Sequence, residues 1–237
     1  MFILVLYYFF DEMIKNLLNL FFPKVCLGCD GQLTDNELYV CTACRHKLPL
    51  TNFHFSNDEM FKNRLYGRVQ LQQATALLFF AKKGIVQQLM HNLKYRGHQE
   101  VGTFLGKWLG EELKELEVYR DIDAVIPVPL HKRKLRKRGY NQVTTFGQEI
   151  AATLEVPFYD NILVKVRDVK TQVFKDRLKR TDVNTVFKVS DFETLKGKHV
   201  LLVDDIITTG ATIESCANVL IQIEGLKLSV ATMAITI

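Results

Sequence analysis

From residue 74 onward the chain alternates between short continuous apolar runs and segments whose apolar residues recur at helical spacing. ATALLFF (74–80), DAVIPVP (123–129), HVLLVDD (199–205) and LSVATMAITI (228–237) have strand length, and none keeps the strict polar–apolar alternation of a half-exposed strand. Such runs belong to strands buried on both faces. Between them, Ile85, Leu89 and Leu93 share one helical face, as do Val101, Phe104, Leu105, Trp108 and Leu113. Residues 141–154 read as a third helix with Asn141 as its N-cap. Residues 211–224 read as a fourth, with Ile213, Cys216, Ala217, Leu220 and Ile223 on one side. Strands alternating with helices predict an α/β fold built on a mostly parallel sheet. Gly102, Gly106 and Gly110 recur every four residues in the second helix. Lys107, Glu111 and Glu112 exclude a membrane dimerisation stripe there, so close packing against the sheet is expected.

The first third of the chain has a different texture. Four paired cysteines and several turn residues fall within 13–60, which we read as a small separate lobe. Residues 52–73 show no clean period, and a linker is placed at 61–73, ahead of the main domain at 74–237. The opening MFILVLYYFF lacks a basic flank and a small-residue cleavage site, and is too short to span a bilayer. Residues 1–12 are read as a spurious or disordered extension, with a more natural amphipathic start at Met13; the rival reading is a hydrophobic anchor. No transmembrane segment is expected.

Composition adds one local feature. Lys and Arg total 31 against 26 Asp and Glu, giving +5. The segment 131–138, HKRKLRKR, holds six of those cations, and without it the chain would be slightly acidic. The positive charge therefore points to an anion near that segment, not to a generally basic surface. With no credible export signal, the five cysteines are read as reduced and the protein as cytoplasmic.

Cys26-Leu-Gly-Cys29 is followed after eleven residues by Cys41-Thr-Ala-Cys44. Two such knuckles can set four thiolates around Zn²⁺, giving a zinc-ribbon-like lobe. Four thiolates leave no open position for water, so the zinc is expected to be structural, stapling a segment too small to fold on its core alone. The alternatives are a redox pair or unrelated thiols, and a redox pair would normally be single and lie within a βαβ unit. Cys216, on the apolar side of its helix, is expected in the core.

The richest stretch is VLLVDDIITTGAT, residues 200–212. A buried strand ends in Asp204 and Asp205, and Thr208, Thr209, Gly210, Ala211 and Thr212 lead into a helix. Ligands of open α/β sheets bind at the carboxyl ends of strands. Unpaired N–H groups at a helix N-terminus favour a phosphate, and threonine hydroxyls add donors. The two carboxylates would repel that phosphate and need hydroxyls or a cation instead. A sugar phosphate satisfies both ends. Neither G-x4-G-K-[ST] nor a strand-following G-x-G-x-x-G occurs.

This stretch resembles the signature of type I phosphoribosyltransferases, which bind phosphoribosyl pyrophosphate (PRPP). The resemblance implies that Asp204 and Asp205 hold the ribose hydroxyls and act catalytically. It implies that Thr208, Thr209, Gly210, Ala211 and Thr212 hold the 5-phosphate, with Mg²⁺ accompanying PRPP. The basic run is open to three readings: a pyrophosphate site, a solvated charged face or a nucleic-acid patch. Together with Ile126-Pro-Val-Pro-Leu-His131 and Arg138-Gly-Tyr-Asn-Gln142 it resembles the ComF family, whose members place a four-cysteine zinc motif before a phosphoribosyltransferase domain. The zinc motif, Lys94-Tyr-Arg-Gly97, the PVPL segment and the PRPP loop follow the family's order from Pro23 onward. Pro129, Arg136 and Arg138 are the candidates for the pyrophosphate side. In the mobile hood, Thr171, Gln172, Arg177 and Arg180 are arguable matches, but the family's Asn-Val stands here as Asp182-Val183. The resemblance implies a part in DNA uptake during natural transformation, with single-stranded DNA or competence proteins as partners. Two activities stay open: phosphoribosyl transfer from PRPP to an acceptor, and non-catalytic sensing of PRPP or a nucleotide. A purine or pyrimidine salvage enzyme would need a base-recognition hood that this chain does not display.

Overall fold

The computed structural model describes residues 13, 21–56, 59–166 and 186–237. The chain divides into two units, Met1–Leu48 and Pro49–Ile237. In the first unit the chain turns back on itself, with an antiparallel bridge between Val25 and Gln32 and a bond from the Cys26 N–H to the Gly31 carbonyl (2.7 Å). A five-residue helix follows, α1 (Thr42–His46), capped by the Cys41 sulfur, which accepts from the Cys44 N–H. Among the described residues of this unit, the buried side chains are Cys26, Leu27, Leu33, Val40, Cys44 and Leu48.

The second unit is built on four parallel strands in the order β1 (Ala74–Phe80), β6 (Lys227–Thr236), β5 (His199–Ile207), β2 (Ala124–Pro127). The predicted apolar runs form these strands because both of their faces are covered. On one face Ala74, Ala76, Ile126, Val200, Leu202, Leu228 and Val230 join Ile213, Cys216, Ala217 and Leu220 of α8 (Ala211–Leu220) in a continuous core. Cys216 is fully buried there, as expected. Helices α4 (Ile85–Tyr95), α5 (Glu100–Lys114) and α7 (Thr144–Leu154) pack on β1, β6 and β2 respectively.

The glycine repeat of α5 packs against α7 and not against the sheet. A methyl group on Gly106 would lie 2.5 Å from the Phe146 carbonyl oxygen, and one on Gly102 would lie 2.1 Å from Thr145 Oγ1. The three glycines let two helix backbones touch, which a one-helix pattern cannot reveal. Asn141 is not the N-cap of α7, which begins three residues later. Its amide instead donates to the Val128 carbonyl at 3.0 Å, tying the start of α7 to the end of β2.

The aperiodic stretch 52–73 contains two short helices, α2 (Phe53–Ser56) and α3 (Met60–Leu65). Phe53, Phe61 and Leu65 are buried in the sheet core, so this segment belongs to the second unit. Helices of one or two turns are too short to show a repeat, which is why the pattern read as linker. Two further features carry no strand or helix signal in the sequence. The basic run forms α6 (Lys132–Arg138), and β3 (Leu163–Lys165) pairs antiparallel with β4 (Phe187–Val189). The hood matches Thr171, Gln172, Arg177, Arg180, Asp182 and Val183 lie outside the described residues, as does the 1–12 extension. No helix among the described residues is long and apolar enough to cross a membrane.

Candidate functional site

All four strands of the sheet point their carboxyl ends the same way, and β5 delivers both acids there. Asp204 and Asp205 are each 7% exposed. Asp204 Oδ1 accepts the Asp205 N–H at 2.8 Å, and Asp205 Oδ1 accepts the Ile206 N–H at 2.6 Å. The second oxygen of Asp205 takes two side-chain donors, Lys94 Nζ and Gln142 Nε2, both at 2.8 Å. Burial, then the adjacent Asp205 charge, push the Asp204 carboxyl up to about 8; the Asp205 N–H, Lys94 and Lys165 pull only partly against this.

The acids open into a cavity of about 730 Å³. Its lining carries Lys94, Lys134, Lys137, Arg138 and Lys165 against Asp204 and Asp205, so the cavity is strongly cationic. Three of those cations come from α6: Lys134, and one helical turn later the adjacent Lys137 and Arg138. Pro129 lines the same cavity. Arg136 points elsewhere: it is exposed and is not among the lining residues. The geometry thus joins Pro129 and Arg138 to the acids, and replaces Arg136 with Lys134 and Lys137. A hydrogen-bonded chain links the two ends of the cavity. Arg138 donates to the Gln142 Oε1, and the Gln142 amide donates on to Asp205. The buried amide is held in one orientation by having a donor on one side and an acceptor on the other.

The threonine turn leaves β5 beside the acids. Gly210 has φ +81°, the left-handed conformation that favours glycine, and is the N-cap of α8. Thr208, Thr209, Ala211 and Thr212 are all solvent-exposed, and Thr212 alone of the five loop residues lines the cavity. Gly210 is buried beneath Leu65: a methyl group there would lie 2.5 Å from Leu65 Cδ2. Two arginines from α3 and the turn after it hold the loop from that side. Arg64 Nη1 donates to the Thr208 carbonyl at 2.7 Å and Arg68 Nη2 to the Thr209 carbonyl at 3.0 Å.

Sequence reasoning did not find Gln142, Lys134, Lys137, Arg64 or Arg68 as site residues, and Lys94 stood out only as part of a motif. Lys94 and Gln142 reach Asp205 across 111 and 63 positions of sequence. The one available signal was positional: Lys94 and Gln142 sit inside the two segments already singled out.

In the first unit, Cys26, Cys29, Cys41 and Cys44 bring their sulfurs within 4.8 Å of one another, a group that could hold a metal ion. Cys29 and Cys41 sulfurs are 3.8 Å apart, close to the ~3.8 Å edge of a tetrahedron with ~2.3 Å metal–sulfur bonds. Backbone N–H groups of Gly28 and Cys41 point at the Cys26 sulfur, each at 3.3 Å. Burial alone would push the Cys26 thiol up, but donors from Cys41, Gly28 and Cys29 outweigh it and bring it to about 7. Cys44 is driven upward by burial and then by the three neighbouring thiols. Four crowded sulfurs, one already inclined to ionise, fit a thiolate-binding cation.

The family model for the phosphoribosyl transferase domain matches residues 144–235. The DNA utilization protein YhgH of Escherichia coli O157:H7 is 28% identical over 138 residues, covering 56% of this chain and 60% of the relative. The chain thus spans less than two thirds of that relative's length. Competence protein F of Haemophilus influenzae is 24% identical over 216 residues, covering 84% of this chain and 92% of its own. Competence protein ComFC of Bacillus subtilis is 24% identical over 201 residues, covering 84% and 78%. With a parallel sheet, a cationic cavity around an acid pair and a four-cysteine group ahead of them in sequence, the chain is similar to these competence and DNA utilization proteins and carries a phosphoribosyl transferase domain match.

Proposed function

We propose that this chain binds PRPP with Mg²⁺ and serves DNA uptake during natural transformation; two of the proteins it is similar to are named competence proteins. The observation that carries the PRPP reading is the cavity. It places Asp204 and Asp205 at the end of β5 in one chamber with Pro129, Lys134, Lys137, Arg138 and Thr212. Hydroxyls of a ribose suit the carboxylates. Its 5-phosphate suits the 208–212 loop, and a pyrophosphate suits the cations of α6. Mg²⁺ would neutralise pyrophosphate charge. The chain's own part in a transfer is electrostatic and positional: Asp205 is held in place by Lys94 and Gln142, and the cations stabilise the charge that builds on a departing pyrophosphate.

In the first unit Cys26, Cys29, Cys41 and Cys44 would hold one structural zinc, an arrangement that needs reduced thiols and suits a cytoplasmic setting.

Calorimetric titration of PRPP with Mg²⁺ tests the site. Wild type should bind, and Asp204→Asn/Asp205→Asn should weaken binding at least tenfold, on the order of the ~1.5–3 kcal/mol of a charged hydrogen bond. Equal affinity would remove the site. Pyrophosphate release on adding candidate acceptors then separates transferase from sensor.

A second reading has its own observation. Lys132, Arg133 and Arg136 are exposed on α6 and stand outside the cavity lining. One face of the helix serves the cavity, and the other is free to meet the backbone of single-stranded nucleic acid.

A further inference from the structure

The outer side of the 208–210 turn is covered by the segment whose sequence pattern reads as a linker. Three contiguous features converge there. Leu65, fully buried, sits against Gly210. Arg64 Nη1 bridges the Thr208 carbonyl (2.7 Å) and Thr236 Oγ1 (2.9 Å) at the end of β6. Arg68 spans the Thr209 carbonyl (3.0 Å) and the Glu214 carboxylate of α8 (2.9 Å), and also donates to the Arg64 carbonyl.

The consequence follows from the peptide group itself. Every described peptide here is trans, and in a planar trans peptide the C=O of one residue and the N–H of the next point in opposite directions. A guanidinium holding the Thr208 carbonyl on the outer side turns the Thr209 N–H inward. One holding the Thr209 carbonyl does the same for the Gly210 N–H. Charge-assisted bonds of this kind are stronger than neutral ones, and a cation on the carbonyl polarises the amide and makes its N–H a better donor. Arg68 is partnered by Glu214, whereas the two acceptors described for Arg64 are both neutral, so Arg64 adds positive charge directly behind the turn.

We infer that Arg64 and Arg68 are positioning residues for the phosphate turn: they aim the Thr209 and Gly210 amides at a phosphate monoester without touching it. The inference rests on the phosphoribosyl reading of the site and assigns part of its phosphate affinity to a segment outside every motif.

The test is titration of ribose 5-phosphate and, separately, of pyrophosphate into wild type and Arg64→Gln/Arg68→Gln, with melting temperatures measured on the same samples. Ribose 5-phosphate should bind the variant about tenfold more weakly, since two charge-assisted bonds are removed. Pyrophosphate, taken by α6, should bind both alike. Unchanged affinity for ribose 5-phosphate would overturn the positioning role while leaving the site reading intact. An equal loss for both ligands would overturn it too, because it signals general disruption. Wild type that takes neither ligand would overturn the site reading itself and this role with it. If the double variant does not fold, Arg64→Lys serves instead. It keeps the charge but cannot bridge Thr208 and Thr236, and should weaken ribose 5-phosphate binding selectively.

Discussion

Asp204 is an acid that the fold makes reluctant to ionise. It is buried, and Asp205 follows it on the same strand. Its folded value of about 8 lies above the ordinary 3.8, so between those limits the folded state holds a proton that the unfolded chain releases. Stability from this residue is therefore greatest at low pH and is lost as pH rises through that window. Asp204→Asn has no proton to lose. Relative to wild type it should become progressively more stable from pH 5 to pH 8.5, by about 1–3 kcal/mol over the range. Urea denaturation at several pH values checks this, and a pH-independent difference would refute it. On the proposed phosphoribosyl reading, a carboxyl so reluctant to ionise would gain from a nearby cation or a ribose hydroxyl. The acids were legible because two carboxylates closing an apolar run are rare in a strand. Their partners Lys94 and Gln142 were not, because a lysine and a glutamine in helical or loop segments have no local mark of burial.

At the scale of elements, α6 shows how a charge run acquires a direction. As a sequence, HKRKLRKR is equally a solvated face, a pyrophosphate site or a nucleic-acid patch. As a helix it has sides: Lys134, Lys137 and Arg138 line the cavity, and Lys132, Arg133 and Arg136 do not. Replacing the second trio with Gln should lower affinity for single-stranded DNA and flatten its dependence on salt. Each phosphate that the protein no longer neutralises reduces the log–log slope by about 0.7. PRPP affinity should stay as in wild type. Filter binding at several salt concentrations gives the slope, and an unchanged slope would discard the nucleic-acid reading of this face. The elements that sequence missed share a cause. α2, α3, β3 and β4 run from three to six residues, shorter than the window over which periodicity can be recognised. The glycine repeat of α5 was visible, yet its partner was not, since the pattern says that a backbone comes close without saying whose.

At the scale of the whole molecule the chain divides between Leu48 and Pro49, and the two units have unlike reasons to be folded. The second buries a sheet on both faces. The first, among its described residues, buries only Leu27, Leu33, Val40 and Leu48 beside Cys26 and Cys44. So few buried apolar side chains among the described residues are what a cross-link or metal would supplement. If Cys26, Cys29, Cys41 and Cys44 hold zinc as proposed, a chelator should therefore unfold the first unit and leave the sheet in place. Hydrogen exchange would show this as diminished protection around 26–44 with β5 and β6 amides still protected; unchanged protection at 26–44 would show that no metal holds it. The sequence by itself determined the α/β class, the four main strands, the cysteine group and the acid–threonine stretch. Each of these is a local regularity, a run or a spacing that burial or ligation imposes on neighbouring residues. Only the tertiary structure decided which side of α6 faces the cavity, which residues steady Asp205, and that an apparent linker grips the threonine turn. Those are interactions between residues as far as 172 positions apart, and hydrogen bonds at that separation leave no period in the chain to read.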